Sequence, residues 1–290
     1  MKTAKRVDHE HAHRIDVHQH LVPSFYAKEL PTHGGDPSGT VIPRWSPEIA
    51  IDFMDSLEIA TGILSLTAPS VVRWHKTERR EMARRVNEYA ADLVARRPDR
   101  FGNFATLPVP DIDGALRELE HALDSLRADG VILLANYAGK YLGDAAFEPL
   151  WAELDRRQVA VFVHPGQPPL PTAAGLAGPL VDYPFDTTRA AVQLVLNGIV
   201  DRYPEARIIL AHAGGFLPYA SHRFAELARV FRPDAANPAD ILASFQRDEL
   251  ALIGEHEGYQ IVLDGNWLMT CRTDENRTLA FMGIVLAHAL

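Results

Sequence analysis

The chain has 290 residues, of which 47% are hydrophobic and 23% charged, and its formal net charge at pH 7 is -9. This composition is typical of a globular protein with a large core, and it excludes disorder as the general state of the chain. The negative charge and the scattered Lys and Arg residues exclude nucleic acid as an expected partner. Length alone leaves open one large domain or two ordinary ones.

The chain ends and the cysteine content predict a cytoplasmic protein without a membrane partner. Residues 1–13 form a polar N-terminal arm that lacks the apolar core of a secretory signal. The longest late apolar run, residues 279–290, is well short of the roughly 20 residues that span a bilayer. Cys271 is the single cysteine, so an intrachain disulfide is impossible and a reducing compartment is favoured.

From residue 14 onward, short apolar runs alternate with longer amphipathic segments. The apolar runs predict strands of a covered parallel sheet, and the segments of helical periodicity predict helices. The predicted strands cover residues 14–21, 60–68, 101–109, 130–138, 159–166 and 207–215. The predicted helices cover residues 46–59, 77–97, 113–130, 147–158 and 185–204.

This alternation, without an intervening linker, predicts one α/β domain over residues 14–290. The size suits a TIM (β/α)8 barrel, which typically has ~250 residues. A doubly wound open sheet is the alternative. The sequence lacks the motifs for the two commonest ligands of that fold, because no G-x-G-x-x-G motif follows the first strand and no P-loop is present.

Four histidines stand in or at the ends of the predicted strands. His18 and His20 are two residues apart in the first strand, so strict alternation places both on one face together with Asp16. His164 and His212 close the fifth and sixth apolar runs, just before Pro or Gly loops. In a parallel barrel the carboxyl ends of the strands form the catalytic rim. We therefore expect a metal site there rather than four separate structural histidines.

These motifs resemble those of a known family. The H-x-H of "RIDVHQHL", then "VFVHPG", "NGIVDRYPEARIILAHAGGFLPY" and "HRF" are similar to the amidohydrolase superfamily. Within it they resemble the branch of the aminocarboxymuconate-semialdehyde, 6-methylsalicylate and γ-resorcylate decarboxylases. The resemblance covers residues 14–247.

The resemblance implies a ligand set and a catalytic group. His18, His20 and His164 would bind one divalent metal, usually zinc, with manganese as the other choice. His212 would be the catalytic acid/base. The fourth predicted strand lacks the lysine that bridges two metals in binuclear relatives, which favours a single ion. The resemblance also implies a homodimer.

The resemblance further implies a fourth metal ligand, an aspartate that ends the eighth strand and takes part in catalysis. Only "QIVLDGNW" looks like such a strand, and Asp264 is its one carboxylate. Alignment on Trp267 instead places Asn266, a poor zinc ligand, at that position. We take Asp264 as the expected ligand and interpret residues 248–290 as a divergent or incomplete C-terminal part of the barrel.

Three further residues complete the predicted site. Arg44 and Trp45 follow the first strand in a long loop on the active-site rim, and they are predicted to bind the carboxylate and the ring of a substrate. Asp16 is predicted to support the metal ligands from their own face of the strand.

The predicted activity is metal-dependent, non-oxidative decarboxylation of a small aromatic or unsaturated carboxylic acid. One alternative is a hydrolase of an ester, lactone or amide, in which His212 serves as the base for attack by metal hydroxide. The second alternative is a catalytically inactive barrel that serves as a binding partner, and it follows from the uncertain fourth ligand. Both chemistries use the same ligands, so only the resemblance favours decarboxylation.

Overall fold

A computed structural model describes residues 14–38, 41–169 and 175–232, together with the backbone of four later strands. The strands are β1 (Arg14–Leu21), β2 (Ile59–Leu66), β3 (Phe101–Thr106), β4 (Gly130–Leu134), β5 (Asn136–Tyr137), β6 (Lys140–Tyr141), β7 (Ala160–His164), β8 (Arg207–Leu210), β9 (Ala251–His256), β10 (Tyr259–Asp264), β11 (Trp267–Arg272) and β12 (Thr278–Ala280). The helices are α1 (Ser24–Glu29), α2 (Pro47–Ser56), α3 (Lys76–Arg96), α4 (Ile112–Glu120), α5 (Glu148–Arg156), α6 (Asp182–Leu196), α7 (Ile199–Arg202) and α8 (Leu217–Phe231). The predicted arm, residues 1–13, lies outside the described residues.

Six strands form one parallel sheet in the order β1-β2-β3-β4-β7-β8. They correspond to the six strands predicted from the apolar runs, and all six predictions are confirmed. The helices occupy the crossovers between the strands, as the helical periodicity predicted. Ser46 caps the N-terminus of α2, since its side chain accepts a hydrogen bond from the backbone N–H of Ile49.

The sheet curls strongly, so that its two edge strands approach each other. A flat sheet would separate β1 from β8 by roughly 24 Å, at about 4.8 Å per step. Instead, Val17 of β1 and Ile209 of β8 belong to one buried cluster with Phe162 of β7. The ring centroids of His18 and His212 are only 5.1 Å apart. This curled parallel sheet, covered by helices, confirms the predicted TIM-barrel class.

Strand β1 contains a bulge that changes which side chains face the barrel interior. Asp16 pairs with Gly62 and Gln19 with Leu64, so three steps along β1 match two steps along β2. Because Gly62 and Leu64 share a face, Asp16 and Gln19 also share a face. His20 pairs with the next residue of β2 and therefore lies on the opposite face.

The predicted strict alternation in β1 is therefore wrong at this point. Val17 packs in the interior cluster, and the extra residue of the bulge allows His18 to face inward as well. The ring of His18 lies 5.0 Å from that of Phe162 in the same interior. Asp16 does not share the inward face of the two histidines.

The later strands form a separate antiparallel sheet in the order β12-β11-β10-β9. The segment predicted to end the barrel is a strand, but β10 pairs with β9 and β11 instead of joining the parallel sheet. Two residues separate β10 from each neighbour along the chain, whereas a parallel crossover needs about a dozen or more. The part of the chain after residue 247 thus departs from the barrel pattern.

The described helices include none long and apolar enough to cross a membrane. The longest, α3, covers 21 residues and carries charged side chains along most of its length.

Candidate active site

Three of the predicted metal ligands come together inside the barrel. The side-chain ligand atoms of His18, His20 and His164 all lie within 4.8 Å of one another. The Nε2 atoms of His18 and His20 are 3.3 Å apart, a consequence of the bulge that turns both rings inward. His18 and His164 are buried.

His164 ends β7 and its ring orientation is set by the chain that follows it. Its Nδ1 is 2.8 Å from the carbonyl oxygen of Pro165. Because that oxygen can only accept, Nδ1 carries the proton and Nε2 keeps its lone pair for a metal. Burial, with additional contributions from His20 and His212, holds the pKa of His164 well below 6.5. The ring is therefore neutral at pH 7, which is the form that binds metals.

The donor set of this cluster fits a divalent metal. Three imidazole nitrogens within reach of one point form the protein part of an open zinc-type site. Among the residues whose side chains the structure describes, the cluster includes no carboxylate. Asp264 is the last residue of β10, and its side chain and Asn266 lie outside the described residues. The fourth ligand remains a prediction.

His212 lies beside this cluster, in the turn just after β8. Its ring centroid is 5.1 Å from that of His18 and 5.5 Å from that of His164. The backbone at His212 is left-handed, with φ of 53°, and a Cβ on Gly215 would approach the carbonyl oxygen of Pro184 to 2.2 Å. A glycine is thus required where this turn packs against α6.

The electrostatics of His212 suit proton transfer. Burial lowers its pKa to about 4, so the ring is neutral at pH 7. Its Nδ1 is buried and has no hydrogen-bond partner among the described residues. A neutral imidazole with an available nitrogen can take up a proton and release it to a bound molecule.

A cavity of about 130 Å³ opens above the histidines. Its lining includes His20, His164 and His212, together with Arg44 and Trp45. The structure therefore places both predicted substrate-binding residues at the site. The indole Nε1 of Trp45 is buried and has no partner among the described residues, which makes it a donor for a bound oxygen.

Sequence reasoning missed two polar residues of this cavity, Asp36 and Tyr183. Asp36 lies in the loop after β1, and burial raises the pKa of its carboxyl. Tyr183 begins α6, with its ring 6.5 Å from that of His164, and burial with the charge of Asp36 raises its pKa to about 12. Neither residue forms part of a spaced motif, so no pattern in the sequence could single it out.

Asp16 lies behind the metal cluster. Its Oδ1 accepts a hydrogen bond of 2.9 Å from the backbone N–H of His18, and burial raises its pKa to about 6. The carboxylate thus binds the backbone of the bulge that presents His18. A supporting role for Asp16 remains a prediction, now through the backbone and not from the face of the histidine rings.

The depressed pKa of His212 predicts a stability profile for the metal-free protein. In the unfolded chain this histidine titrates near 6.5, but in the fold only near 4. Below pH 6.5 the unfolded state binds a proton at this histidine that the folded state does not. The free energy of unfolding is therefore not reduced by His212 above pH 6.5, and it falls as the pH is lowered from 6.5 towards 4. Urea unfolding of chelator-treated protein at a series of pH values measures this loss. The variant H212N should show a shallower decline, and an equally steep one would contradict the assignment.

The barrel and the buried histidine cluster define a class of metal-dependent enzymes, the amidohydrolases, and comparison with known proteins agrees. The family model described as amidohydrolase matches residues 15–242. This chain belongs to the amidohydrolase family.

The named relatives are decarboxylases. Decarboxylase yanB of Aspergillus niger is 42% identical over 273 residues, which cover 87% of this chain and 73% of the relative. The 6-methylsalicylic acid decarboxylase of Penicillium expansum is 40% identical over 260 residues, which cover 80% of this chain and 80% of the relative.

Solved structures show the same relationship. A crystal structure of an amidohydrolase II is similar with a TM-score of 0.72 and 33% identity, covering 75% of this chain and 72% of its own. The dihydroxybenzoic acid decarboxylase of Polaromonas, with bound manganese and 2-nitroresorcinol, has a TM-score of 0.60 and 30% identity, covering 72% and 68%.

Proposed function

We propose that this protein is a metal-dependent, non-oxidative decarboxylase of a small aromatic carboxylic acid. One observation carries the proposal: two histidines of the metal cluster line the same small cavity as the acid/base and the two expected substrate-binding residues, namely His20, His164, His212, Arg44 and Trp45. The relatives named as decarboxylases of 6-methylsalicylic acid and of dihydroxybenzoic acid support the aromatic substrate class.

In this proposal His18, His20 and His164 hold one divalent ion, and Asp264 remains the predicted fourth ligand. Three imidazoles favour zinc, while the manganese of the Polaromonas relative supports manganese as the alternative. A bound ion would supply Lewis acidity towards a carboxylate or hydroxyl oxygen of the substrate.

The cavity walls orient the substrate. The guanidinium of Arg44 pairs with the carboxylate, and charge-assisted bonds of this kind are among the strongest polar contacts. The indole of Trp45 packs against the aromatic ring, and its Nε1–H donates to a substrate oxygen. Apolar side chains form much of the remaining lining and suit contact with an aromatic ring: Val22, Val41, Ile42, Ile49 and Ala68.

His212 moves the proton. Because it is neutral, it accepts the proton of a hydroxyl next to the carboxylate and returns it to the ring carbon that bears the carboxylate. The bond between that carbon and the carboxylate then breaks, its electron pair stays with the ring, and CO2 leaves. The phenolate product recovers a proton from water.

The test is substrate turnover by the metal-loaded protein. Incubation with 6-methylsalicylate and with 2,6-dihydroxybenzoate should release CO2, and chelator-treated protein should not. Turnover of an aryl ester or lactone without CO2 from any hydroxybenzoate would instead favour the hydrolase alternative. Absence of a stoichiometric metal after loading would favour the inactive barrel.

Two further expectations belong to this proposal. The homodimer implied by the family resemblance is checked by sedimentation equilibrium, with a monomer as the contradicting result. The cytoplasmic location predicted from the sequence is checked by fractionation of cells that express the protein.

Replacement of Arg44 by Ala is expected to raise KM for the aromatic acid about 10- to 100-fold, with a smaller effect on kcat. The reason is the loss of a charge-assisted hydrogen bond to the carboxylate, typically about 1.5–3 kcal/mol. The variant R44K keeps the charge without the planar guanidinium, so its KM should lie between those of the unaltered protein and R44A. Steady-state kinetics on all three proteins gives the result, and an unchanged KM would remove Arg44 from the carboxylate site.

A further inference from the structure

A buried carboxylate, outside the histidine cluster, is surrounded by donors from two other segments of the chain. Asp186 of α6 is fully buried. Its oxygens accept hydrogen bonds from Asn136 Nδ2 at 3.0 and 3.1 Å, from the hydroxyl of Tyr141 at 2.7 Å and from the backbone N–H of Gly166 at 3.0 Å. These contacts tie α6 to the β5–β6 hairpin and to the loop after β7.

The bond to Gly166 reaches the predicted metal ligand through a single peptide group. The N–H of Gly166 and the C=O of Pro165 belong to the same planar peptide. Asp186 Oδ2 accepts from the N–H at 3.0 Å, and the C=O accepts from Nδ1 of His164 at 2.8 Å. A carboxylate at one end of a peptide polarises it and strengthens the acceptor at the other end.

We propose that Asp186 is a positioning residue for His164, and that it acts through the Pro165–Gly166 peptide. The carboxylate holds this peptide in place, and the polarised carbonyl holds the proton of His164 on Nδ1, so that Nε2 is presented to the metal. Metal-binding histidines commonly donate their other N–H directly to a carboxylate or carbonyl. Here His164 donates directly to the carbonyl of Pro165, and the carboxylate of Asp186 contacts the other end of that peptide. The inference rests on the proposed role of His164 as a metal ligand.

Replacement of Asp186 by Asn removes the charge at nearly constant shape. The variant Y141F is the matched control, because it removes a hydrogen bond to the same carboxylate on Oδ1 and leaves the Gly166 contact intact. We expect D186N to weaken zinc binding about 10- to 100-fold, measured by competition with a chromophoric chelator. Y141F should change zinc affinity less than about threefold although it removes a buried contact as well.

A second readout does not depend on metal or activity. In metal-free protein with 15N-labelled histidine, the ring nitrogen shifts of His164 report its tautomer. We expect the Nδ1–H form in the unaltered protein and in Y141F, and a mixture of tautomers in D186N. Equal zinc affinities and an unchanged tautomer in D186N would overturn the proposal even if the melting temperature falls.

A backbone substitution tests the same step without any change of side chain. Incorporation of glycolate in place of Gly166 turns the peptide into an ester, which removes the N–H and weakens the carbonyl as an acceptor. We expect the ester protein to show the same loss of zinc affinity and the same mixture of His164 tautomers that we expect for D186N. Retention of both native properties by the ester protein would show that the contact does not reach His164. The proposal and the proposed function can fail separately. If the His164 tautomer changes in D186N and in the ester protein as expected, but the unaltered protein shows no decarboxylase activity, this proposal stands and only the proposed function is contradicted.

Discussion

Replacement of His212 by Asn is expected to lower kcat for decarboxylation by about 10²- to 10⁴-fold, the usual contribution of a positioned acid or base. The side chain of Asn cannot exchange a proton near neutral pH. Asn also tolerates the left-handed backbone, with φ of 53°, better than most residues. The turn after β8 should therefore keep its shape, and the change isolates the proton transfer.

Two measurements accompany the rate. Zinc content of the H212N protein should remain that of the unaltered protein, because the predicted ligands are His18, His20 and His164. The variant H222N, on the exposed face of α8, is the control for loss of a histidine elsewhere. A kcat within threefold of normal in H212N would show that another group transfers the proton, and a loss of zinc would show that His212 is itself a ligand.

Replacement of His164 by Gln is expected to abolish metal binding and decarboxylation together. The ligand atoms of the three imidazoles lie within 4.8 Å of one another. The loss of one imidazole leaves two nitrogen donors, too few for a stable zinc site. Burial holds the pKa of His164 well below 6.5, so a neutral amide does not replace a buried charge and the fold should be retained.

Metal analysis after gel filtration, paired with CO2 release, measures the effect. The expected result for H164Q is less than a tenth of the zinc of the unaltered protein and no detectable turnover. H222Q serves as the control with normal values of both. Full zinc occupancy in H164Q would contradict the assignment of the ligand cluster, whereas loss of turnover with zinc retained would transfer His164 to a substrate-binding role.

The strands and helices of the barrel follow from local patterns in the sequence. Runs such as "GVILL" and "AVFVH" are apolar on both faces, because a parallel strand covered by helices has no face in water. The six strands begin within one residue of the prediction, but five of them end two to five residues earlier than predicted. The position of His164 at the end of such a run was sufficient to place it on the rim of the barrel.

Two features of the site depend on pairing between distant segments. The bulge in β1 depends on the register against β2, where three steps match two, and no local pattern in "RIDVHQHL" reveals it. The residues Asp36, Tyr183 and Asp186 reach the site through the loop after β1 and through α6. Each is a single polar residue that belongs to no motif of regularly spaced residues. Only the packed chain therefore shows that these residues face the cavity or the loop after β7.

The antiparallel pairing of β10 with its two neighbours is a different case, because the short loops between these strands explain it. The loops on either side of β10 are too short for a parallel crossover. The resemblance of "QIVLDGNW" to the eighth strand of a barrel therefore does not predict its pairing. Loop length, a physical constraint, outweighed the likeness of a short motif.

By itself the sequence determined the barrel class, the order of its six strands and the four histidines that approach one another at its rim. It could do so because hydrophobic periodicity and strand ends are local properties of a chain. Only the tertiary structure decided which faces these residues present, that His18 enters the interior by a bulge, and that Asp186 contacts the peptide beside His164. Those outcomes depend on register and packing between segments far apart in the chain, where burial and hydrogen bonding act together and leave no pattern in either segment alone.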